Sequence, residues 1–194
     1  MTTVSEAIKK RHSARAFKDR EVDLETVKNI IQIAKQSPSG VNTQPWNVYV
    51  LSGDARDKLV NEATSRYDQG KMDGQEYLVY PKEMPDWYKE RRRAVGWAMY
   101  GAIGIEKGDT EKMMAQGRKN YEFFGAPVGI FITVKNCVGP NGWGHVGHFI
   151  QNVCLLAIEN GLATCLQEAW AELPKLVREH VNYPEDETLW CGIA

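Results

Sequence analysis

The chain lacks the features that would tie it to a membrane, a nucleic acid or an oxidising compartment. No apolar run in its 194 residues approaches membrane-spanning length. The start, Met1-Thr2-Thr3-Val4-Ser5-Glu6, lacks the basic-then-apolar order of a secretion signal. Neither sign of charge dominates: 24 Lys and Arg stand against 25 Asp and Glu, so no whole-chain basic field exists to hold nucleic acid or an anionic bilayer. Cysteines number four, Cys137, Cys154, Cys165 and Cys191, with no Cys-x-x-Cys pair and no His at zinc-ligand spacing. Reduced thiols in a soluble cytoplasmic protein are the expectation. Repeats and low-complexity segments are also missing.

What is present suffices for one core. At 43% hydrophobic and 10% aromatic residues, a single domain spanning 1–194 is expected. Thr3-x-x-Glu6 reads as a capping box opening a short helix with Val4, Ala7 and Ile8 on its apolar side. Asp23 reads as the N-cap of a second helix carrying Leu24, Val27, Ile30, Ile31 and Ala34, which Pro38 stops. Trp46 to Leu51 is strand-like, with a turn at Ser52-Gly53-Asp54 and a helix from about Arg56. Residues 65–120 are charged and aromatic, and too long for a bare loop, so two or three helices are expected there. Gly125 to Val134 reads as an interior strand, apolar on both faces. Then follow a long helix with Val146, Phe149, Ile150, Val153 and Ala157 in register, closed by Gly161, a short strand near Ala163 to Leu166, a helix over Pro174 to Val181, and a strand from Thr188 to Ala194.

Two stretches carry chemistry. In Arg11-His12-Ser13-Ala14-Arg15-Ala16-Phe17, two guanidiniums four residues apart flank a hydroxyl, a set suited to a phosphate-bearing ligand. Ser37-Pro38-Ser39-Gly40-Val41-Asn42-Thr43-Gln44-Pro45-Trp46 is a loop dense in hydrogen-bonding groups and ended by a large aromatic anchor. A literal G-x-G-x-x-G at Gly142 to Gly147 opens a helix, with Glu168 about twenty residues on, and keeps a Rossmann dehydrogenase reading open. His145 and His148 share a helix face but have no third metal ligand nearby in sequence, so no metal is expected.

Taken in order, Arg-His-Ser-x-Arg-x-Phe, Pro-Ser-Gly-x-Asn-x-Gln-Pro-Trp, the Ala126-Pro127-Val128-Gly129 strand, Gln151-Asn152 and Gly161-Leu162-Ala163 resemble the nitroreductase family of FMN enzymes. The middle segment, with Tyr88-x-x-Arg91-Arg92-Arg93-x-x-Gly96-Trp97 and Asn120-Tyr121-x-Phe123-Phe124-Gly125-Ala126-Pro127, is most similar to the branch of nitrobenzoate and nitrobenzene reductases.

The resemblance implies an α+β fold, a mixed or mainly antiparallel sheet flanked by helices, and an intertwined homodimer with two FMN molecules at its interface. It implies that Arg11, His12, Ser13 and Arg15 meet the FMN phosphate, ribityl chain and pyrimidine edge. Pro38, Ser39, Gly40, Asn42 and Gln44 would flank the isoalloxazine from the opposite subunit. Gln167, Glu168 and Ala169 would lie near flavin N5 and O4. The implied activity is ping-pong reduction of nitroaromatic or similar electron-poor compounds by NAD(P)H, with hydride passing through N5. Related possibilities are quinone or enone reduction, dehalogenation, and flavin binding with little turnover.

No catalytic side chain is assigned, because the cofactor performs the redox step. The 65–120 segment would cover the substrate, and Arg91, Arg92 or Arg93 could pair with a substrate carboxylate, although adjacent arginines on a helix diverge. Glu76 and Tyr80 are spaced like two substrate-gripping residues of iodotyrosine deiodinases, which share this fold, but the lysine that should follow falls at Gly101. The family's usual C-terminal extension, with further basic residues and a partner-wrapping arm, is absent from these 194 residues.

Overall fold

The computed structural model describes residues 2–194. Local chemistry sets the first elements. Helix α1 (Val4–Lys10) opens on a reciprocal box: the Thr3 hydroxyl accepts from the Glu6 N–H, and the Glu6 carboxylate accepts from the Thr3 N–H at 2.8 Å. Of its expected apolar side only Ala7 is buried, while Val4 and Ile8 are exposed. Helix α2 (Leu24–Ala34) is capped by Asp23, whose carboxylate accepts from the Glu25 and Thr26 N–H groups.

Strand β1 (Trp46–Ser52) passes straight into α3 (Gly53–Asp68), earlier than the expected start at Arg56, because Gly53 adopts the left-handed conformation that turns the chain in one residue. The 65–120 segment holds the end of α3, α4 (Asp86–Ala102) and α5 (Thr110–Arg118). The remaining elements are β2 (Val128–Lys135), α6 (Pro140–Glu159), β3 (Leu166–Gln167), α7 (Pro174–Val181) and β4 (Glu187–Ile193).

The sheet runs β1-β2-β4-β3 with every neighbour antiparallel, and a single parallel bridge joins Ser13 to Thr164. This arrangement removes the Rossmann reading. A dinucleotide fingerprint needs a glycine-rich turn between parallel strands and a helix, whereas Gly142 to Gly147 lie within α6, which starts at Pro140.

Strand β2 explains why the core is split in two. Its even positions, Val128, Ile130, Ile132 and Val134, pack with α2 and α6, around Val27, Val146 and Phe149. Phe131, pointing the other way, packs with Leu59, Phe123, Trp170 and Leu176. Both faces are covered, so the strand is buried from Val128 to Val134, and its one polar side chain there, Thr133, donates to the Glu187 carboxylate.

Strand β4 carries a bulge: Ile132 pairs with Cys191 but Thr133 with Leu189, leaving Trp190 as the extra residue. Leu189 and Cys191 therefore join opposite cores despite being two apart. Gly192 is needed beside this bulge, since a Cβ there would lie 2.4 Å from Trp170 Cδ1.

Candidate functional site

The Ser13–Thr164 bridge lays the Arg11–Arg15 segment alongside the chain that leads into β3. Ala14 is buried and its N–H donates to the Thr164 carbonyl at 3.0 Å, which fixes the segment's height against the sheet. Arg15 thereby reaches a cavity of about 670 Å³ whose walls include Gln151, Gln167, Glu168, Ala169 and Trp190, with Tyr80 beside them. That volume lies within the range of cofactor and substrate sites.

Each wall has a physical cause. Gln167 is buried; its Nε2 donates to the Asn120 carbonyl at 2.6 Å, and its Oε1 has no partner among the described residues. A buried unpaired acceptor in a cavity wall points to a ligand donor. Glu168 starts a 3-10 turn (Glu168–Glu172), and burial by the surrounding wall pushes its carboxyl above the ordinary range. The Tyr121 hydroxyl donates to the Ala169 carbonyl at 3.1 Å.

The bulge places Trp190 in the wall, and the Tyr77 hydroxyl donates to the Trp190 carbonyl at 2.5 Å. Tyr77 and Trp190 both pack edge-on against Trp143. Burial pushes the Cys154, Cys165 and Cys191 thiols up, so none of the three is primed as a nucleophile.

The second stretch lies elsewhere. Pro38, Ser39, Gly40, Asn42 and Gln44 form a loop seated on a different face of α6. The Gly40 N–H donates to His145 Nε2 at 3.3 Å, the Asn152 amide donates to Ser37 Oγ at 2.7 Å, and His148 Nδ1 lies 3.4 Å from the Pro38 carbonyl. Ser39 Oγ accepts from the Gln44 N–H at 3.0 Å. A Cβ on Gly40 would come 3.1 Å from the His145 ring, so this close approach favours glycine. Val41, Asn42 and Gln44 all have positive φ, and Val41 is 97% exposed. A β-branched residue held in that region marks a strained loop.

On a helical wheel, the cavity-facing Gly147, Ile150 and Gln151 and the loop-facing His145, His148 and Asn152 are centred roughly 140° apart, at about 100° per residue. A single chain therefore brings Arg15, Gln167, Glu168 and Ala169 together and keeps the 38–44 loop on another side of α6. Arg11 and Ser13 lie on the same extended segment as Arg15 without lining the cavity, and the His12 ring turns back to within 3.0 Å of the Lys10 carbonyl. Tyr80, Gln151 and Trp190 were not among the expected cofactor-binding residues; Gln151 carried a signal through the Gln-Asn pair, and Tyr80 through its spacing from Glu76.

The two other sequence signals resolve structurally. His145 and His148 hold the loop, and no cluster of three metal-ligating side chains occurs among the described residues. Glu76 pairs with Arg178 at 3.1 Å, which ties it to α7. No helix among the described residues is long and apolar enough to cross a membrane.

Known proteins resemble the chain over nearly its whole length. The chain is 34% identical over 192 residues to a 4-nitrobenzoate reductase of Nocardioides sp. (strain LMS-CY), covering 96% of this chain and 77% of that protein. It is 31% identical over 193 residues to a nitrobenzene nitroreductase of Ectopseudomonas oleovorans, covering 98% and 85%. Among solved structures, the FMN and NADPH-dependent nitroreductase NfnB from Sphigopyxis sp. strain HMH superposes with a TM-score of 0.94 at 37% identity, over 99% of this chain and 86% of that one. NfnB from Mycobacterium smegmatis, solved with NADPH, gives 0.92 at 28% identity, over 98% and 85%. The model of the nitroreductase family matches residues 8–194, and the chain belongs to that family.

Proposed function

We propose that the chain is an FMN-dependent oxidoreductase that uses NAD(P)H to reduce nitroaromatic or similarly electron-poor compounds. The observation that carries this reading is the convergence of Arg15, Gln167, Glu168 and Ala169 on one cavity. Its donor set suits FMN. Among the described residues Arg15 has no carboxylate partner, so its forked donors are available to a phosphate or an anionic ring edge. The orphaned Oε1 of Gln167 can accept from a pyrimidine N–H. Tyr80 and Trp190 offer flat apolar surface for a planar ring.

FMN, when bound, supplies hydride transfer through N5. The protein's share is placement. The cavity walls hold the reactants in line, where about 3–3.5 Å between reacting atoms is required. The bulge-held Trp190 and the Tyr77–Trp143 packing fix the aromatic side of the cavity. No side-chain nucleophile is needed.

The homodimer belongs to the same reading. The 38–44 loop sits away from its own chain's cavity, so it serves a flavin site only by reaching one on a partner copy; its strained, exposed tip at Val41 supports that role. Arg11, His12 and Ser13 would then complete the ligand's phosphate end beside Arg15. Helix α4 has no buried residue and exposes Trp87 and Val95 at 57% and 67%, which supports a covering role for the 65–120 segment in a single domain. Four free thiols favour the reducing cytoplasm.

An anaerobic two-step titration tests this function. NADPH should bleach the flavin of the FMN-loaded protein, and 4-nitrobenzoate or nitrobenzene should restore its colour. Flavin that NAD(P)H leaves oxidised, or reduced flavin that nitroarenes leave bleached, contradicts it. Much faster recovery with quinones or enones than with any nitroarene would move the reading to another flavin reductase.

A further inference from the structure

We propose that Arg92 is a specificity residue that selects nitroarenes bearing a carboxylate. This inference rests on the proposed nitroarene activity and names a substrate class within it. Arg91, Arg92 and Arg93 are consecutive on α4, so their side chains leave the helix about 100° apart and cannot all serve one site. Arg91 lies over its own helix's Trp87, with 5.2 Å from guanidinium carbon to ring centroid. Arg92 instead reaches off its helix to lie 5.1 Å over Tyr80, which lines the cavity.

Arg92 also differs from the structural arginines. Arg66, Arg118 and Arg178 are each paired with carboxylates. The polar contact of Arg92 is the Met84 sulfur at 3.8 Å, a weak acceptor, and among the described residues no carboxylate lies within ion-pair distance. Its charge is therefore available. Meanwhile Glu168 and Glu172 place carboxylates in the same cavity, where an anionic substrate would be repelled. The Gln75 amide engages Glu172, while Glu168 has no such partner.

Both charges act on Tyr80. Burial and then Glu168 push its phenol up, and Arg92 pulls it back. An arene against the Tyr80 side of the cavity, with its carboxylate toward the guanidinium, would gain a charge-assisted contact that an unsubstituted nitroarene lacks.

The test uses FMN-loaded protein and the Arg92→Met and Arg92→Lys variants. Initial rates with 4-nitrobenzoate and nitrobenzene, each with NADH and NADPH, are paired with the binding of benzoate followed by calorimetry. The ratio of kcat/KM for 4-nitrobenzoate over nitrobenzene should fall about tenfold in Arg92→Met, the size expected for one charge-assisted hydrogen bond. The change should sit in KM, benzoate binding should weaken to match, and Arg92→Lys should recover part of both. An unchanged ratio with unchanged benzoate binding overturns the proposal. So does a loss specific to NADPH over NADH, which would assign Arg92 to the cofactor's 2′-phosphate. If the unaltered protein reduces neither nitroarene, the nitroarene function fails. The benzoate arm then decides the anion site alone: weaker binding in Arg92→Met sustains it, and equal binding overturns it.

Discussion

Gln151 and Asn152 are neighbours in sequence and serve different sides of α6. Gln151 lines the cavity, and the Asn152 amide donates to Ser37 Oγ at 2.7 Å at the root of the 38–44 loop. Asn152→Ala should therefore loosen the loop without altering its own chain's cavity. Loss of one partly buried hydrogen bond costs about 1 kcal/mol. If the loop completes a partner's site, FMN should dissociate faster and the dimer should weaken, read by flavin release and sedimentation. Unchanged FMN release in a loosened dimer would leave the loop with assembly alone.

Arg15→Met removes the cavity's cation while leaving a side chain of similar reach. Arg15 is exposed and has no ion pair to lose, so apo stability should stay within about 0.5 kcal/mol. Loss of a charge-assisted hydrogen bond should weaken FMN binding by roughly tenfold or more. Fluorescence titration with FMN checks the second, and urea unfolding the first.

Gly192→Ala probes the packing beside the bulge. The new methyl would overlap the Trp170 ring, and overpacking of this kind costs about 1–3 kcal/mol. A lower urea midpoint with an unchanged slope is expected. Because the bulge residue Trp190 lies two positions away and lines the cavity, FMN affinity should fall with it.

Much of the architecture was legible because local chemistry wrote it. Pro174 starts α7 and the capping box starts α1 where the sequence places them, and the periodic apolar positions of α6 form one buried stripe. The bulge at Trp190 was not legible: Leu189, Trp190 and Cys191 read as one apolar strand, and only pairing with β2 reveals that Leu189 and Cys191 face different cores. Likewise, both motif stretches could be named from sequence, but which face of α6 each occupies depends on tertiary contacts such as Gly40 to His145. The arginine run is similar, since Tyr80 lies outside the helix that carries it.

Tyr49 makes the alkaline limb testable. Its hydroxyl donates to Glu187 at 2.9 Å, and burial, aided by that carboxylate, pushes the phenol from 10.0 up to about 12. The folded state thus keeps a proton that the unfolded chain releases near pH 10. The associated stability is full below pH 10 and is lost as pH rises toward about 12. Tyr49→Phe should flatten that part of the fall in urea midpoint. An unaltered alkaline slope would place it with other tyrosines.

The most direct test of the account is the visible spectrum of the purified chain supplied with FMN, followed by identification of the released cofactor. The account predicts flavin bands, one FMN per chain, and bleaching on anaerobic addition of NAD(P)H. A folded protein that stays colourless with excess FMN would contradict it, because the Arg15 and Gln167–Ala169 cavity would then serve some other ligand.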